Sequence, residues 1–125
     1  MAAFLDARTI PNGTVLTPDL AIIGGGPAGI SLALAMASSG HTVLLLESGG
    51  LAVDKKNQAL YRGAETGTGY TPLDSGRLRV LGGSSNHWGG WCRPLDAIDF
   101  ESRDWVPHSG WPFPRTVIEL SLIHI

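Results

Sequence analysis

The sequence holds a single cysteine, Cys92, among its 125 residues. An internal disulfide framework is therefore excluded, and the composition fits a reducing compartment. Charge of one sign is missing as well: 9 Lys and Arg stand against 11 Asp and Glu. Such near neutrality supplies no field to steer the chain toward nucleic acid or an anionic membrane. There is no long apolar run. The most apolar stretch, 20–37, is broken by Gly24-Gly25-Gly26-Pro27, whereas a lipid-spanning helix needs roughly 20 uninterrupted apolar residues. The first residues lack a basic segment followed by an apolar one, and no twin arginine is present, so no targeting signal is read. Internal repeats and a G-X-Y period are also missing. What remains is a chain without a membrane segment, read as cytoplasmic.

Glycine is what the sequence has in excess: 17 residues, close to twice the roughly 7% of average usage. These glycines cluster in short runs, a pattern that places backbone close to a ligand. The 43% of hydrophobic residues is enough for a core and too much for a disordered tail.

Residues 1–18 show no period and read as a lead-in arm, with a turn at Pro11-Asn12-Gly13 and a breaker at Pro18. Asp19 to Ile23 reads as a buried parallel strand. Ala28 to Ser39 reads as a helix with small residues toward a sheet, and Gly40 stands where a helix C-cap belongs. His41 to Leu46 is again strand-like. Strand, helix and strand form a βαβ unit over residues 19–47. Beyond Gly50 the pattern fades. Asp54 to Arg62 reads as a helical turn or two, Ala64 to Ser75 as a polar loop, and Arg77 to Leu81 as a short strand entering Gly82-Gly83. Trp88 to Phe113 holds all 4 tryptophans without helical or strand period, and Trp88, Trp91, Trp105 and Trp111 read as packing residues. Cys92, with Arg93 adjacent but structural Trp91 and Pro94 around it, reads as a covered structural cysteine rather than a reactive thiol. His41 reads as exposed, and His108 has no metal-ligand partner at a useful spacing. Residues 120–125 read like the translation of a sequencing adapter, leaving 1–119 as the opening part of a nucleotide-binding domain and the chain as a fragment of a longer protein.

The chemistry concentrates in two glycine loops. Gly24, Gly26 and Gly29 satisfy G-x-G-x-x-G between a strand and a helix, the context that the motif requires. Gly24 permits the tight turn, Gly26 lets a pyrophosphate approach, and Gly29 lets helix and sheet pack closely. Pro27 suits the first helical turn. Ala28 and the following residues open a helix whose N-terminus offers free N–H groups and partial positive charge to phosphate. Glu47 ends the second strand about 20 residues further on, where a carboxylate accepts hydrogen bonds from ribose hydroxyls and repels a 2′-phosphate. Ser48 extends that turn on the adenosine side. The motif alone leaves FAD and NAD both open.

The second loop runs from Arg77 to Gly90 as R-L-R-V-L-G-G-S-S-N-H-W-G-G. Gly82 and Gly83 with Ser84 and Ser85 form a close-approach turn rich in N–H and hydroxyl donors. Arg77 and Arg79 alternate and so face the same way, which makes one of them, with Arg77 the candidate, a pyrophosphate contact; a solvated strand face is the alternative. Together with the first motif and Glu47-Ser48-Gly49-Gly50, this loop resembles the glucose-methanol-choline family of FAD-dependent oxidoreductases. Arg93-Pro94-Leu95-Asp96, Arg103-Asp104-Trp105 and Ser109-Gly110-Trp111-Pro112 are similar to its bacterial sugar- and glycoside-oxidising members, and His87-Trp88 is similar to the His-Trp pair of pyranose oxidase.

The resemblance implies an α/β fold: a Rossmann-like FAD-binding βαβ unit followed by a Gly/Trp-rich, loop-rich segment, an incomplete domain. It implies FAD as cofactor, with Asn86 at the flavin edge, Trp88 beside it, and His87 as a candidate covalent link to the flavin or a residue packed near it. It implies oxidation of an alcohol group of a sugar or polyol, with hydride passing to the flavin, a small-molecule substrate, and an electron acceptor that the sequence does not name. No residue of this chain matches the family's catalytic histidine, so the chain is expected to carry cofactor-binding residues, no catalytic base and no metal site, and to be inactive alone. Two other readings stay open: another FAD enzyme of the aromatic hydroxylase type, or a nucleotide-binding module without catalysis.

Overall fold

The computed structural model describes residues 3–122. It divides into two units, Met1–Gly90 and Trp91–Ile125. In the first unit, strand β1 (Leu20–Ile23), helix α1 (Pro27–Met36) and strand β2 (Val43–Leu46) follow one another. The strands pair in parallel, in the register Leu20 with Val43 through Ile23 with Leu46. A parallel pair requires a crossover, and the ten residues of α1 supply it. This is the α/β, Rossmann-like unit that the two apolar runs and the intervening glycine motif predict.

Its details depart from the sequence reading. The helix stops at Met36, and Ala37 caps it in right-handed conformation. Gly40, at φ 80°, instead turns the chain three residues later. The strands are confined to the apolar runs Leu20–Ile23 and Val43–Leu46, shorter than the segments 19–23 and 41–46 read from the sequence, because residues 19 and 42 do other work. Asp19 accepts hydrogen bonds from the N–H and the hydroxyl of Thr42, both at 2.7 Å, through Oδ2, and the Asp19 N–H donates back to Thr42. This clamp fixes the register at the strand entrance. These bonds, the backbone one first, hold the Asp19 carboxyl below the usual carboxylate range.

Asp54 caps a short helix α2 (Lys55–Gln58) by accepting from the Asn57 N–H at 2.8 Å. A single 3-10 turn, Ala59–Tyr61, continues it, so the helical turns expected over Asp54 to Arg62 are present. Helix α3 (Leu73–Gly76) interrupts the stretch expected to be loop. Arg77 to Leu81 is not a strand. Only Val80 forms a bridge, parallel to Gly50, and Leu81 N–H donates to the Gly50 carbonyl at 3.0 Å. A five-residue 3-10 helix, Gly83–His87, follows.

The core of the first unit is small: Ile22 and Val80 are its buried apolar side chains. Helix α1 is apolar on all its sides, a pattern of helices that are covered all round, yet Leu34 is 69% exposed and Ile23 on β1 is 89% exposed.

In the second unit, a loop from Phe100 to Trp111 is closed at its neck. Ser109 Oγ accepts from the Arg103 N–H at 2.8 Å and donates to the Arg103 carbonyl at 3.1 Å. The rings of Phe100, Trp111 and Phe113 cluster with centroids 5.4–6.5 Å apart. This cluster is the aromatic packing the sequence led one to expect, but the other tryptophans lie outside it. Trp91 and Trp105 are largely exposed, Trp88 of the first unit is half exposed, and Cys92 is exposed rather than covered. The remainder is loop, a 3-10 turn at Ala97–Phe100 and helix α4 (Thr116–Leu122). The stretch 120–125, read as an adapter, runs from this helix into 123–125, which lie outside the described residues. Among the described residues no helix is long and apolar enough to cross a membrane.

Candidate functional site

The turn from β1 into α1 shows why three glycines stand in one motif, and the reasons differ. Gly24 lies at φ 106°, a region that side chains rarely adopt. A Cβ on Gly29 would sit 1.9 Å from the Gly24 carbonyl oxygen, so the helix could not approach the turn. Gly26 meets neither constraint. Its φ is −81°, and a Cβ built there would meet no protein atom within 4 Å. Neither packing nor backbone conformation requires glycine at this point, and the space beside its backbone is open. Pro27, without an N–H, opens the helix, and the first helical bond runs from the Ile30 N–H to the Gly26 carbonyl at 2.9 Å. The N–H groups of Ala28 and Gly29 therefore belong to the turn that helix geometry leaves unpaired.

Glu47 joins this turn to the segment after β2. Its Oε2 accepts the Gly25 N–H and its Oε1 accepts the Gly49 N–H, each at 2.7 Å. Each carboxylate oxygen retains acceptor capacity for a further donor. Gly49 fits because its missing Cβ would collide with the Arg79 carbonyl at 2.3 Å.

The second glycine loop lies against the first. The Gly82 N–H donates to the Gly25 carbonyl at 2.7 Å, and a Cβ on Gly83 would stand 3.4 Å from Gly26 Cα. The structure therefore brings Gly24 to Gly29, Glu47, Ser48, Gly82 and Gly83 together. Ser84 Oγ accepts the Leu78 N–H at 3.1 Å, and Asn86 Nδ2 donates to the carbonyls of Leu81 at 3.0 Å and Gly83 at 2.8 Å. Asn86 is thereby occupied in closing its own turn. His87 and Trp88 end that turn as exposed side chains.

Arg77 does not join the group. Its side chain is exposed, and it does not share the surroundings of Arg79, as strict strand alternation would have required. Arg79 is the arginine at the site. Its Nη1 donates to Ser48 Oγ at 2.7 Å, and its guanidinium carbon lies 4.3 Å from the centroid of the Tyr61 ring. Gln58, which the sequence does not flag, fixes the whole segment. Its Nε2 donates to the carbonyls of Asp74 and Arg77, and its Oε1 accepts the Arg79 N–H at 3.0 Å. A cleft of about 320 Å³ opens here, lined by Ile23, Gly24, Leu46, Glu47, Ser48 and Tyr61. It combines apolar walls, an aromatic ring, a carboxylate and a hydroxyl beside a phosphate-type turn.

Comparison with known families reaches the first turn and the segment after β2, and stops short of the second glycine loop. Residues 22–61 match the model of the NAD(P)-binding Rossmann-like domain. The chain thus contains a Rossmann-like unit of the kind that binds NAD(P)- or FAD-type dinucleotides, as found in oxidoreductases. No curated protein and no solved structure matches the chain.

Proposed function

We propose that this chain is the FAD-binding part of an oxidoreductase that oxidises an alcohol group of a sugar or related polyol. The observation that carries the reading is the hydrogen bond from Gly82 to Gly25 at 2.7 Å, which sets a second side-chain-poor turn beside the first. A single dinucleotide turn serves NAD and FAD alike. Two turns, with Gly83 against Gly26, offer an extended backbone track for a cofactor whose second half is a flavin. The sequence of that second turn, with its Ser84-Ser85-Asn86-His87-Trp88 continuation, supports the glucose-methanol-choline family.

The chain's residues fit the cofactor in parts. The open backbone at Gly26 and the free donors of Ala28 and Gly29 would take the pyrophosphate. Glu47, with Ser48, would take the ribose hydroxyls, and its charge disfavours a 2′-phosphate. Gly82, Gly83 and Ser84 would run beside the cofactor, while Asn86 acts by shaping the turn that presents His87 and Trp88. Bound FAD would supply the two-electron acceptor for the alcohol's hydride. His87, exposed, would be the residue that attaches the flavin: a C–H bond of the ring's methyl group would give way to the bond to the imidazole nitrogen, and the electron pair released would reduce the flavin itself.

The test is a titration of the chain with FAD and with NAD⁺, followed by flavin fluorescence and calorimetry. FAD is expected to bind at least about tenfold tighter; equal or stronger NAD⁺ binding would favour a nicotinamide-dependent dehydrogenase, the second reading that the matched domain supports. Flavin retained by the His87 peptide after denaturation, and lost in His87→Ala, is the expected sign of a covalent link.

A further inference from the structure

Ser48, Tyr61 and Arg79 come from three separate segments and meet at one edge of the cleft beside Glu47. Ile23, 89% exposed, and Leu46, 47% exposed, give that cleft an apolar surface, and Tyr61 gives it an aromatic wall. Its volume of about 320 Å³ suits one nucleoside rather than a whole dinucleotide. An arginine stacked on a tyrosine is held by the ring quadrupole, and here its backbone is also held by Gln58. The guanidinium is therefore fixed rather than searching solvent.

The fixed guanidinium dictates the direction of a proton. A serine hydroxyl has one donor and two acceptor lone pairs. Arg79 can only donate, so Ser48 Oγ accepts from it, at 2.7 Å. The hydroxyl proton of Ser48 is then free to be donated elsewhere. Glu47, next in the chain, is an acceptor with both oxygens anchored. One rim of the cleft thus presents a donor and an acceptor side by side, the complement of a vicinal diol, with flat apolar surface next to it.

We propose that Arg79, seated on the Tyr61 ring, is a positioning residue that shapes an adenosine subsite between Tyr61, Ile23 and Leu46 and turns Ser48 into a hydroxyl donor paired with the Glu47 acceptor on the ribose diol. The proposal rests on the dinucleotide reading above. It selects ribonucleotides over their 2′-deoxy counterparts through an arginine that need not touch the ligand.

Calorimetric titrations with ADP and 2′-deoxy-ADP test it, on the chain and on Arg79→Lys, Ser48→Ala and Tyr61→Leu, with circular dichroism as the check on folding. The parent chain is expected to prefer ADP by roughly tenfold, the value of one well-made hydrogen bond. Arg79→Lys, which keeps the charge but loses the planar fork, and Ser48→Ala should each collapse that preference toward unity. Tyr61→Leu should weaken both nucleotides alike. A preference unchanged in Arg79→Lys and in Ser48→Ala, with FAD still bound, overturns this proposal and leaves the dinucleotide reading standing. Absence of binding by both FAD and ADP overturns the two together. Should Arg79→Lys fail to fold, Ser48→Ala, at an exposed position, decides the matter.

Discussion

The amide of Gly82 donates to the carbonyl of Gly25 across 2.7 Å, joining two turns that lie 57 residues apart in the chain, from 25 to 82. The FAD reading follows from that joint, because it sets the second side-chain-poor turn beside the first.

The three motif glycines should respond differently to alanine. Gly26→Ala is expected to leave stability within about 0.5 kcal/mol of the parent, because its Cβ meets nothing within 4 Å, yet to weaken dinucleotide binding at least about tenfold. Gly29→Ala should destabilise the fold by about 1–3 kcal/mol or more, since its Cβ would lie 1.9 Å from the Gly24 carbonyl. Chemical denaturation and cofactor titration of the two variants separate the effects.

Glu47→Gln should loosen the turn and weaken binding together. The amide replaces one of two acceptors with a donor that faces a backbone N–H, so either Gly25 or Gly49 loses its 2.7 Å bond. The expected loss is about 1–3 kcal/mol, read from the denaturation midpoint, with weaker affinity for FAD.

The core of the unit was legible in the sequence and its supports were not. Two apolar runs flanking a glycine motif specify β1, α1 and β2, because the strand and helix signals and the turn chemistry agree. The ends shifted because Asp19 and Thr42 bond to each other, which no local propensity reports. Arg77 to Leu81 reads as a strand, but only Val80 has a partner strand segment beside it, at Gly50. Gln58 and Tyr61 left no signal, since their partners lie 16 to 21 residues away for Gln58 and at Arg79 for Tyr61. The tryptophans and Cys92 depart from the usual burial of their residue types: Trp111 finds ring partners in Phe100 and Phe113 yet stays half exposed.

Gln58→Leu should free the segment before the second turn. It leaves the Arg79 N–H and the carbonyls of Asp74 and Arg77 without their side-chain partner, a loss of about 1–3 kcal/mol. Limited proteolysis is expected to cut faster between residues 62 and 79 in the variant, while the parent resists.

Acid should loosen the strand entrance, which stays closed at neutral pH. The Thr42 bonds depress the Asp19 carboxyl in the folded chain. A depressed group gives its full stabilisation above the unfolded value, about 3.9, and loses it as pH falls through the lowered folded value. Asp6, pushed down to about 2 by its bonds to Arg8, adds the same sign in the arm. Stability measured from pH 6 to pH 2 should therefore decline below about pH 4, and Asp19→Asn should flatten part of that decline.

Hydrogen exchange of the chain with and without FAD reads the amides of both turns at once. Added FAD is expected to slow exchange at residues 24–30 and at 82–88 in parallel, over the same concentration range. Protection confined to 24–30, with 82–88 exchanging as before, would contradict the account.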